Sequence, residues 1–311
     1  VKYITNFLHI FSPFNNIMLD FEIYSSSSKK FLGLVIVIIT ILMYNSEKTS
    51  HFIRKEIFKM SRIDLFKQHL TEKRAVKVIA GIDNFDIENI KKVVSSAENA
   101  GASAVDICAK PEIISEIRNM TDMPIFVSSI VPSELVKAVE LGADAIELGN
   151  FDVLYKKGMS FSADQVMSLV KETMDMLGDT RTFFCVTIPG ELSIADQIDL
   201  ARKLETMGID LIQTEGHFSA DHISEGARGL MERAELTISN TIELSRNIDL
   251  PIMTATAINP TTAPFAFAAG ASAIGCGSCI NKMDSDLSMM ATAKSLVEIA
   301  SRNALKVVEL V

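Results

Sequence analysis

Acidic and basic side chains occur within or directly after four short apolar segments of this sequence, where packing alone would favour Val, Ile or Leu. Lys77 lies in VKVIAGID, Asp106 in GASAVD and Glu147 in GADAIE, and Glu215 alternates with Gln213 in the run that begins GIDLIQ. Removing a carboxylate from water is costly unless a cation, a proton or a ligand compensates it. One interpretation is a catalytic group, in which the carboxylates act as general acid and base and the lysine activates or orients a carbonyl. The other is a buried ion-pair network that satisfies itself, since such networks also perturb pKa values.

A second candidate motif is the glycine-rich stretch AIGCGS near the end of the sequence. Gly275 and Gly277 would let backbone N–H groups approach a ligand closely, and Ser278 adds a hydroxyl donor. Hydroxyl groups recur in the preceding stretch TATAINPTT, where Thr256 is the candidate. These four residues predict a phosphate-binding site. A tight corner of the fold that requires small residues is the alternative.

Two further stretches place titratable side chains on loops. The segment GHFSADHISEGARGL is too long for an ordinary connection between a strand and a helix, and it carries His217 and His222. These histidines predict either a lid with a titratable group or a solvated loop. In NFDVLYKKGMSFS, Lys156 and Lys157 would either attract an anionic substrate or be solvated.

The elements that would position these residues are marked by a fourfold repeat. GASAVD, GADAIE, GIDLIQ and GASAIG begin at Gly101, Gly142, Gly208 and Gly270, and each follows an amphipathic stretch. Glycine directly after a helix typically occupies the left-handed cap position, which residues with a Cβ avoid. The apolar run after each glycine is therefore predicted to be a strand.

Four similar strands are predicted between the repeats, in VKVIAGID, PIFVSSI, FFCVTI and PIMTATAI. Eight strands that alternate with eight helices over about 250 residues predict an α/β protein with a single (β/α)8 TIM barrel. SRIDLFKQHL, before the first strand, would add a helix that closes the bottom of the barrel. An open doubly wound sheet is the alternative, although no GxGxxG follows the first strand to support it.

Alternation along the strands predicts where the polar residues lie. One inward-facing layer should contain the residues at the same place in the four repeats, namely Asp106, Glu147, Gln213 and Gly275. Lys77 would be the nearest cation, and Glu215 should lie above the layer. The loops after the strands form the mouth of such a barrel, which is where its active sites lie.

The overall composition restricts the function classes. The chain has 311 residues, of which 48% are hydrophobic and 22% are charged, with a formal net charge of -9. This charge and the absence of basic runs argue against a nucleic-acid surface, which needs clustered Lys and Arg. The cysteines lie in or beside apolar runs, which is typical of reduced, buried thiols. The CxxC of Cys276 and Cys279 has no second pair, so no metal site is predicted.

Residues 1–59 differ in composition from the rest of the chain. They contain no alanine and a single glycine, Gly33, whereas both residue types are common from Met60 onward. Together with the initial Val1, this difference predicts a gene-model extension that precedes a barrel domain of residues 60–311. A membrane anchor is the alternative, but the apolar run at residues 31–44 is shorter than the roughly 20 residues that span a bilayer. No membrane contact is expected unless this run is translated.

Several stretches between residues 61 and 303 resemble a known family. VIAGIDNFD, AVDICAK, IELGNFD and IGCGSCI are similar to hypothetical chloroplast reading frame twenty-three, an uncharacterised barrel family of algal plastid genomes and cyanobacteria. The resemblance implies an aldolase-type TIM barrel in the plastid, within the chloroplast stroma, and it supplies no reaction. AIGCGS also resembles the phosphate loops of ribulose-phosphate-binding barrels and of flavin-mononucleotide barrels.

These features together predict an enzyme of the lyase or isomerase type that acts on a phosphorylated small molecule. Lys77, Asp106, Glu147 and Glu215 would supply the acid, base and carbonyl-orienting groups. Two alternatives stay open: an oxidoreductase with FMN as its cofactor, and a non-catalytic ligand sensor or scaffold. The sequence carries no signal for the oligomeric state.

Overall fold

The computed structural model describes residues 61–155, 157–216 and 224–309. Within these ranges eight parallel strands form a closed barrel in chain order. The strands are β1 (Ala75–Ile79), β2 (Ala104–Cys108), β3 (Ile125–Ser129), β4 (Ala145–Leu148), β5 (Phe183–Thr187), β6 (Leu211–Thr214), β7 (Ile252–Thr254) and β8 (Ala273–Cys276). β8 pairs with β1, so that Lys77 lies opposite Gly275. The predicted TIM barrel is confirmed, and the open-sheet alternative is wrong.

Helices connect the strands on the outside of the barrel, and two short helices follow β4 and β8. The helices of the described ranges are α1 (Arg62–Thr71), α2 (Ile87–Ala100), α3 (Pro111–Met120), α4 (Pro132–Glu140), α5 (Asp152–Tyr155), α6 (Ala163–Leu177), α7 (Ile194–Thr206), α8 (Gly226–Ser245), α9 (Ala263–Ala268), α10 (Ser278–Asn281) and α11 (Asp286–Glu309). The hydroxyls of Ser162 and Ser193 cap the N-termini of α6 and α7, because they accept hydrogen bonds from the first turns of these helices.

The repeated glycines form the turns from helix to strand, as predicted. Gly101 follows α2 with φ 76° and ψ 31°, and its N–H donates to carbonyl oxygens of the last helical turn. Gly142, Gly208 and Gly270 also have positive φ. These turns lie at the N-terminal ends of the strands, which is the end of a TIM barrel that serves stability.

Three aromatic rings fill the bottom of the barrel. Phe66 of α1 contacts Phe126 and Phe183 edge to face, with ring centroids 4.9 and 5.8 Å apart. Small side chains from four strands make room for these rings, namely Ala75, Ala104, Ala145 and Ala273. α1 therefore closes the barrel at its N-terminal end, as predicted.

Several sequence predictions concern residues outside the described ranges. These are residues 1–59 with their apolar run at 31–44, Lys156, and the two loop histidines His217 and His222. Among the residues that the structure does describe, no helix combines the length and the hydropathy needed to cross a bilayer.

Candidate active site

A cavity of about 750 Å³ opens at the C-terminal ends of the strands. The loops that follow β1, β4, β7 and β8 form its walls, together with the end of β6 and part of α8. Its volume suits a small-molecule ligand. It also lies at the end of the barrel where TIM-barrel enzymes carry their active sites.

The four residues predicted to bind phosphate all line this cavity. Gly275, Gly277 and Ser278 come from the end of β8 and the loop after it, and Thr256 follows the neighbouring strand β7. A Cβ added to Gly275 would lie only 3.1 Å from the Cβ of Ala255, so packing explains this glycine. A Cβ on Gly277 would have its nearest contact at 3.6 Å, which is an ordinary distance. The tight-corner alternative therefore fits Gly275 but gives no reason for glycine at position 277.

The cavity walls contain backbone in a disfavoured conformation. Asn150, Thr256 and Ala257 have φ of 64°, 67° and 58°, and all three line the cavity. Residues with a Cβ rarely adopt this left-handed conformation, and such strain is concentrated at functional sites. Within the described ranges only one other non-glycine residue, Lys73 at the opposite end of the barrel, has positive φ.

Positive charges reach the cavity from three elements. Lys282 directly follows α10, and Arg233 projects from α8. Lys157 lies on the loop after β4 and forms an ion pair with Asp83, at 3.8 Å, from the loop after β1. Lys282 is therefore the cation that follows Ser278 most closely in the chain. Four acidic residues add negative charge to the lining, namely Asp83, Asp86, Asp152 and Glu215.

Glu215 is the one predicted catalytic residue that lines the cavity. Its side chain is 2% exposed. Oε1 accepts a hydrogen bond from the backbone N–H of Asp152 at 2.5 Å, and Oε2 accepts one from the Tyr155 hydroxyl at 3.0 Å. Burial and the neighbouring charge of Asp152 outweigh these hydrogen bonds and raise the pKa of Glu215 well above its usual range. The cavity thus contains a carboxyl group that favours its protonated form.

Lys77, Asp106 and Glu147 form a compact network beneath the cavity. The Lys77 ammonium pairs with Glu147 and lies 4.0 Å from Oδ2 of Asp106. Burial alone would lower the pKa of Lys77, but the two carboxylates outweigh it and raise this pKa. Burial raises the pKa of Asp106 to about 7. All three side chains are at most 1% exposed, and none of them lines the cavity.

Gln213 and Asn150 separate this network from the cavity. Nε2 of Gln213 lies 2.8 Å from Oε1 of Glu147 and 3.1 Å from Oδ1 of Asn150. Nδ2 of Asn150 donates to Oδ2 of Asp106 at 3.4 Å. Because both amide side chains also line the cavity, they form part of its floor.

The residues of the predicted layer thus lie together in the structure, and the side chains of Gln213 and Asn150 separate the buried charges from the cavity. Asp106, Glu147 and Gln213 are in contact through hydrogen bonds or Lys77, as alternation along the strands predicts. Glu215 is separate from them and belongs to the cavity wall. Sequence analysis did not single out Asn150, Lys282 or Arg233. The polar residue two positions after the Glu147 strand and the lysine four positions after Ser278 were available signals, whereas nothing marks Arg233 on its helix.

The cysteines are free thiols. Cys279 is only partly buried, and its thiol donates to the carbonyl oxygen of Ile258 at 3.3 Å. In the part of the chain that the structure describes, no three His, Cys, Asp or Glu side chains are grouped as metal ligands.

Over residues 60–306 the sequence matches a family described as protein of unknown function, DUF561. The chain belongs to this family. The uncharacterized protein ycf23 of Pyropia yezoensis is 39% identical over 220 residues, which cover 71% of this chain and 80% of that protein. The ycf23 protein of Cyanophora paradoxa is 35% identical over 243 residues, which cover 78% of this chain and 96% of that protein. The resemblance to the chloroplast reading frame family is confirmed, and these algal relatives indicate the plastid as the compartment.

Solved structures with the same fold include two enzymes of other families. A 3-hexulose-6-phosphate synthase has a TM-score of 0.52 at 15% identity, covering 72% of this chain and 99% of that one. Wild-type GGGPS from Thermoplasma volcanium has a TM-score of 0.53 at 14% identity, covering 76% of this chain and 98% of that one. At these identities the similarity concerns the fold alone, which is a TIM barrel.

Proposed function

We propose that this protein is a small-molecule enzyme of the lyase or isomerase type, acting on a phosphorylated metabolite in the plastid stroma. One observation carries the proposal: a buried carboxyl with a raised pKa, Glu215, and the glycine-serine loop at Gly277 and Ser278 line the same cavity. Perturbed carboxyls in clefts are candidates for acid–base chemistry. The name of the similar 3-hexulose-6-phosphate synthase supports a phosphorylated ligand by analogy of fold alone.

The phosphate would bind at the β8 side of the cavity. The backbone N–H and the hydroxyl of Ser278 are donors that suit phosphate oxygens, and Gly277 leaves room for close approach. Lys282 follows the same short helix and can balance the phosphate charge. Thr256 adds a hydroxyl from the neighbouring loop.

Glu215 would act on the reacting part of the substrate. Burial raises the pKa of Glu215, and a buried carboxyl with a raised pKa can donate its proton to a substrate. Hydrogen bonds from Asp152 and Tyr155 hold both of its oxygens in place. Glu215 can therefore protonate a substrate oxygen in one step and, as the carboxylate, take up a proton in the next.

The same proposal gives Lys77, Asp106 and Glu147 a positioning role. Since none of the three lines the cavity, they act on a ligand through the amide groups of Gln213 and Asn150. Their charges fix which side of each amide faces the network.

A second candidate function is a non-catalytic ligand sensor. The closure of the charged layer favours it, because Lys77 and Glu147 are 0% exposed and Asp106 is 1% exposed. A network that satisfies itself stabilises the barrel whether or not the cavity performs chemistry.

Native mass spectrometry of the freshly purified protein, beside its visible spectrum, tests these functions. We expect a retained phosphorylated metabolite that Gly277→Asp loses, because the added carboxylate repels the phosphate. Asn99→Asp adds the same charge on the exposed surface of α2 and should retain the ligand.

Three outcomes would contradict the proposal. A bound flavin would favour the FMN-dependent oxidoreductase. A metabolite that remains unchanged during prolonged incubation would favour the sensor. Retention of the metabolite by Gly277→Asp would remove the phosphate from the β8 loop.

A further inference from the structure

Gln213 carries a buried hydrogen-bond acceptor without a partner in the described part of the chain, at the floor of the cavity. The residue is 1% exposed, and its Oε1 has no hydrogen-bond partner within residues 61–155, 157–216 and 224–309. A buried polar atom without a partner destabilises the folded state. Such an atom on a cavity wall is a candidate contact for a ligand.

The network beneath fixes which side of the amide faces the cavity. Nε2 lies 2.8 Å from a carboxylate oxygen of Glu147, 3.0 Å from Oγ1 of Thr187 and 3.1 Å from Oδ1 of Asn150. Rotating the amide by a half turn would place Oε1 against the Glu147 carboxylate, where two acceptors would repel each other. Because Glu147 is itself paired with Lys77, the orientation with Oε1 outward is the stable one.

Gly275 lies directly beside this oxygen. A Cβ on Gly275 would lie 3.3 Å from Oε1 of Gln213, and its other near contacts would be carbon atoms of Ala255 and Ile79. The atoms nearest to Gly275 on this side are therefore one acceptor and apolar carbons. All four residues line the cavity.

We propose that Oε1 of Gln213 accepts a hydrogen bond from a hydroxyl group of the ligand. This contact rests on the proposed function for the other end of the ligand. A phosphate at Gly277 and Ser278 lies two to three residues beyond Gly275 along the chain, so the adjacent carbons of the ligand lie over Gly275. The hydroxyl contact selects phosphorylated polyhydroxy compounds over phosphorylated alkyl compounds, because a site built to bind a hydroxyl strongly rejects an analogue that lacks it.

Calorimetric titration with matched pairs of probes tests the contact. Each pair consists of a polyhydroxy phosphate and the alkyl phosphate of the same carbon number: glycerol 3-phosphate with n-propyl phosphate, D-ribose 5-phosphate with n-pentyl phosphate, and D-glucose 6-phosphate with n-hexyl phosphate. We expect the wild-type protein to prefer the polyhydroxy member of at least one pair by about tenfold or more.

Two variants remove the contact in different ways. Gln213→Met removes the acceptor, and Gly275→Ala covers it with a methyl group while the network below stays intact. Both should reduce the preference to about onefold. Gln197→Met is the matched control, since Gln197 is a buried glutamine of α7 that donates to the carbonyl oxygen of Leu192, away from the cavity. It should retain the preference of the wild type.

The outcomes separate this contact from the proposed function. A wild-type protein that binds both members of every pair equally overturns the contact, as does a preference that survives in both variants. If alkyl phosphates and inorganic phosphate fail to bind, while D-ribitol binds and loses affinity in Gln213→Met, the contact stands and phosphate binding falls. If no probe binds, both fall.

Discussion

Asp106 is the residue through which the buried network responds to pH. Burial is the main cause that raises its pKa from the ordinary value of 3.8 to about 7, with the charge of Glu147 acting in the same direction against the attraction of Lys77. Between these two pH values the folded protein therefore binds more protons at this site than the unfolded chain does. The contribution of Asp106 to the free energy of unfolding consequently falls as the pH rises from about 4 to about 7.

The variant Asp106→Asn should flatten this dependence. Without the titrating group, the slope of unfolding free energy against pH should become less negative, by up to about 1.4 kcal/mol per pH unit. Urea unfolding measured between about pH 5 and pH 7 gives the slope directly. Asp122→Asn is the control, because the Asp122 side chain is 98% exposed. An unchanged slope in Asp106→Asn would show that this carboxyl titrates normally in the folded protein.

The positions of the layer residues were predictable from the sequence, but whether a ligand can reach these residues was not. Alternation along β2, β4 and β6 suffices to place Asp106, Glu147 and Gln213 on the same side of the barrel wall. Whether a ligand reaches them depends on Asn150, whose φ of 64° turns it over the network. The sequence does not mark this conformation, because asparagine adopts left-handed backbone more often than most residues with a Cβ but still in a minority of cases.

At the scale of elements, helix α1 closes the N-terminal end of the barrel. Phe66 is fully buried among the rings of Phe126 and Phe183. Phe66→Ala should lower the free energy of unfolding by about 3–5 kcal/mol, the usual cost of truncating a buried phenylalanine. Phe265→Ala, on a ring that is 50% exposed, should cost far less. Equal losses in the two variants, measured by urea unfolding, would mean that α1 does not close the barrel.

Long elements were predictable from the sequence, and the short helices at the mouth were not. Each strand carries a short, mostly apolar run, and four of the strands follow one of the repeated glycines, so that the hydrophobic pattern and the turn residues indicate the same elements. α5 and α10 have four residues each, too few to show a helical period. Contacts distant in sequence hold them instead: Nδ2 of Asn281 in α10 donates to the carbonyl oxygens of Ile79 and Ala80.

At the scale of the whole molecule, the elements that close the barrel and fill its core belong to the barrel domain itself. All eight strands, the pairing of β8 with β1 and the helix that plugs the bottom lie within residues 61–309. We therefore expect residues 60–311 to fold without residues 1–59. Their melting temperature should lie within about 3 °C of that of the full chain, equivalent to about 1 kcal/mol for a domain of this size. Aggregation or a lost thermal transition in the shorter protein would contradict this prediction.

The hydrogen bond from Asn281 to Ile79 also joins two residues that are 202 positions apart in the chain. At ribosomal rates of roughly 5–20 residues per second, the strand that carries Lys77 waits about 10–40 s for its last neighbour to be made. During that time one edge of β1 has no strand beside it, and exposed edges invite pairing with other chains. The cavity is thus among the last parts of the protein to assemble, and a polypeptide that terminates before β8 lacks the strand that lies opposite Lys77.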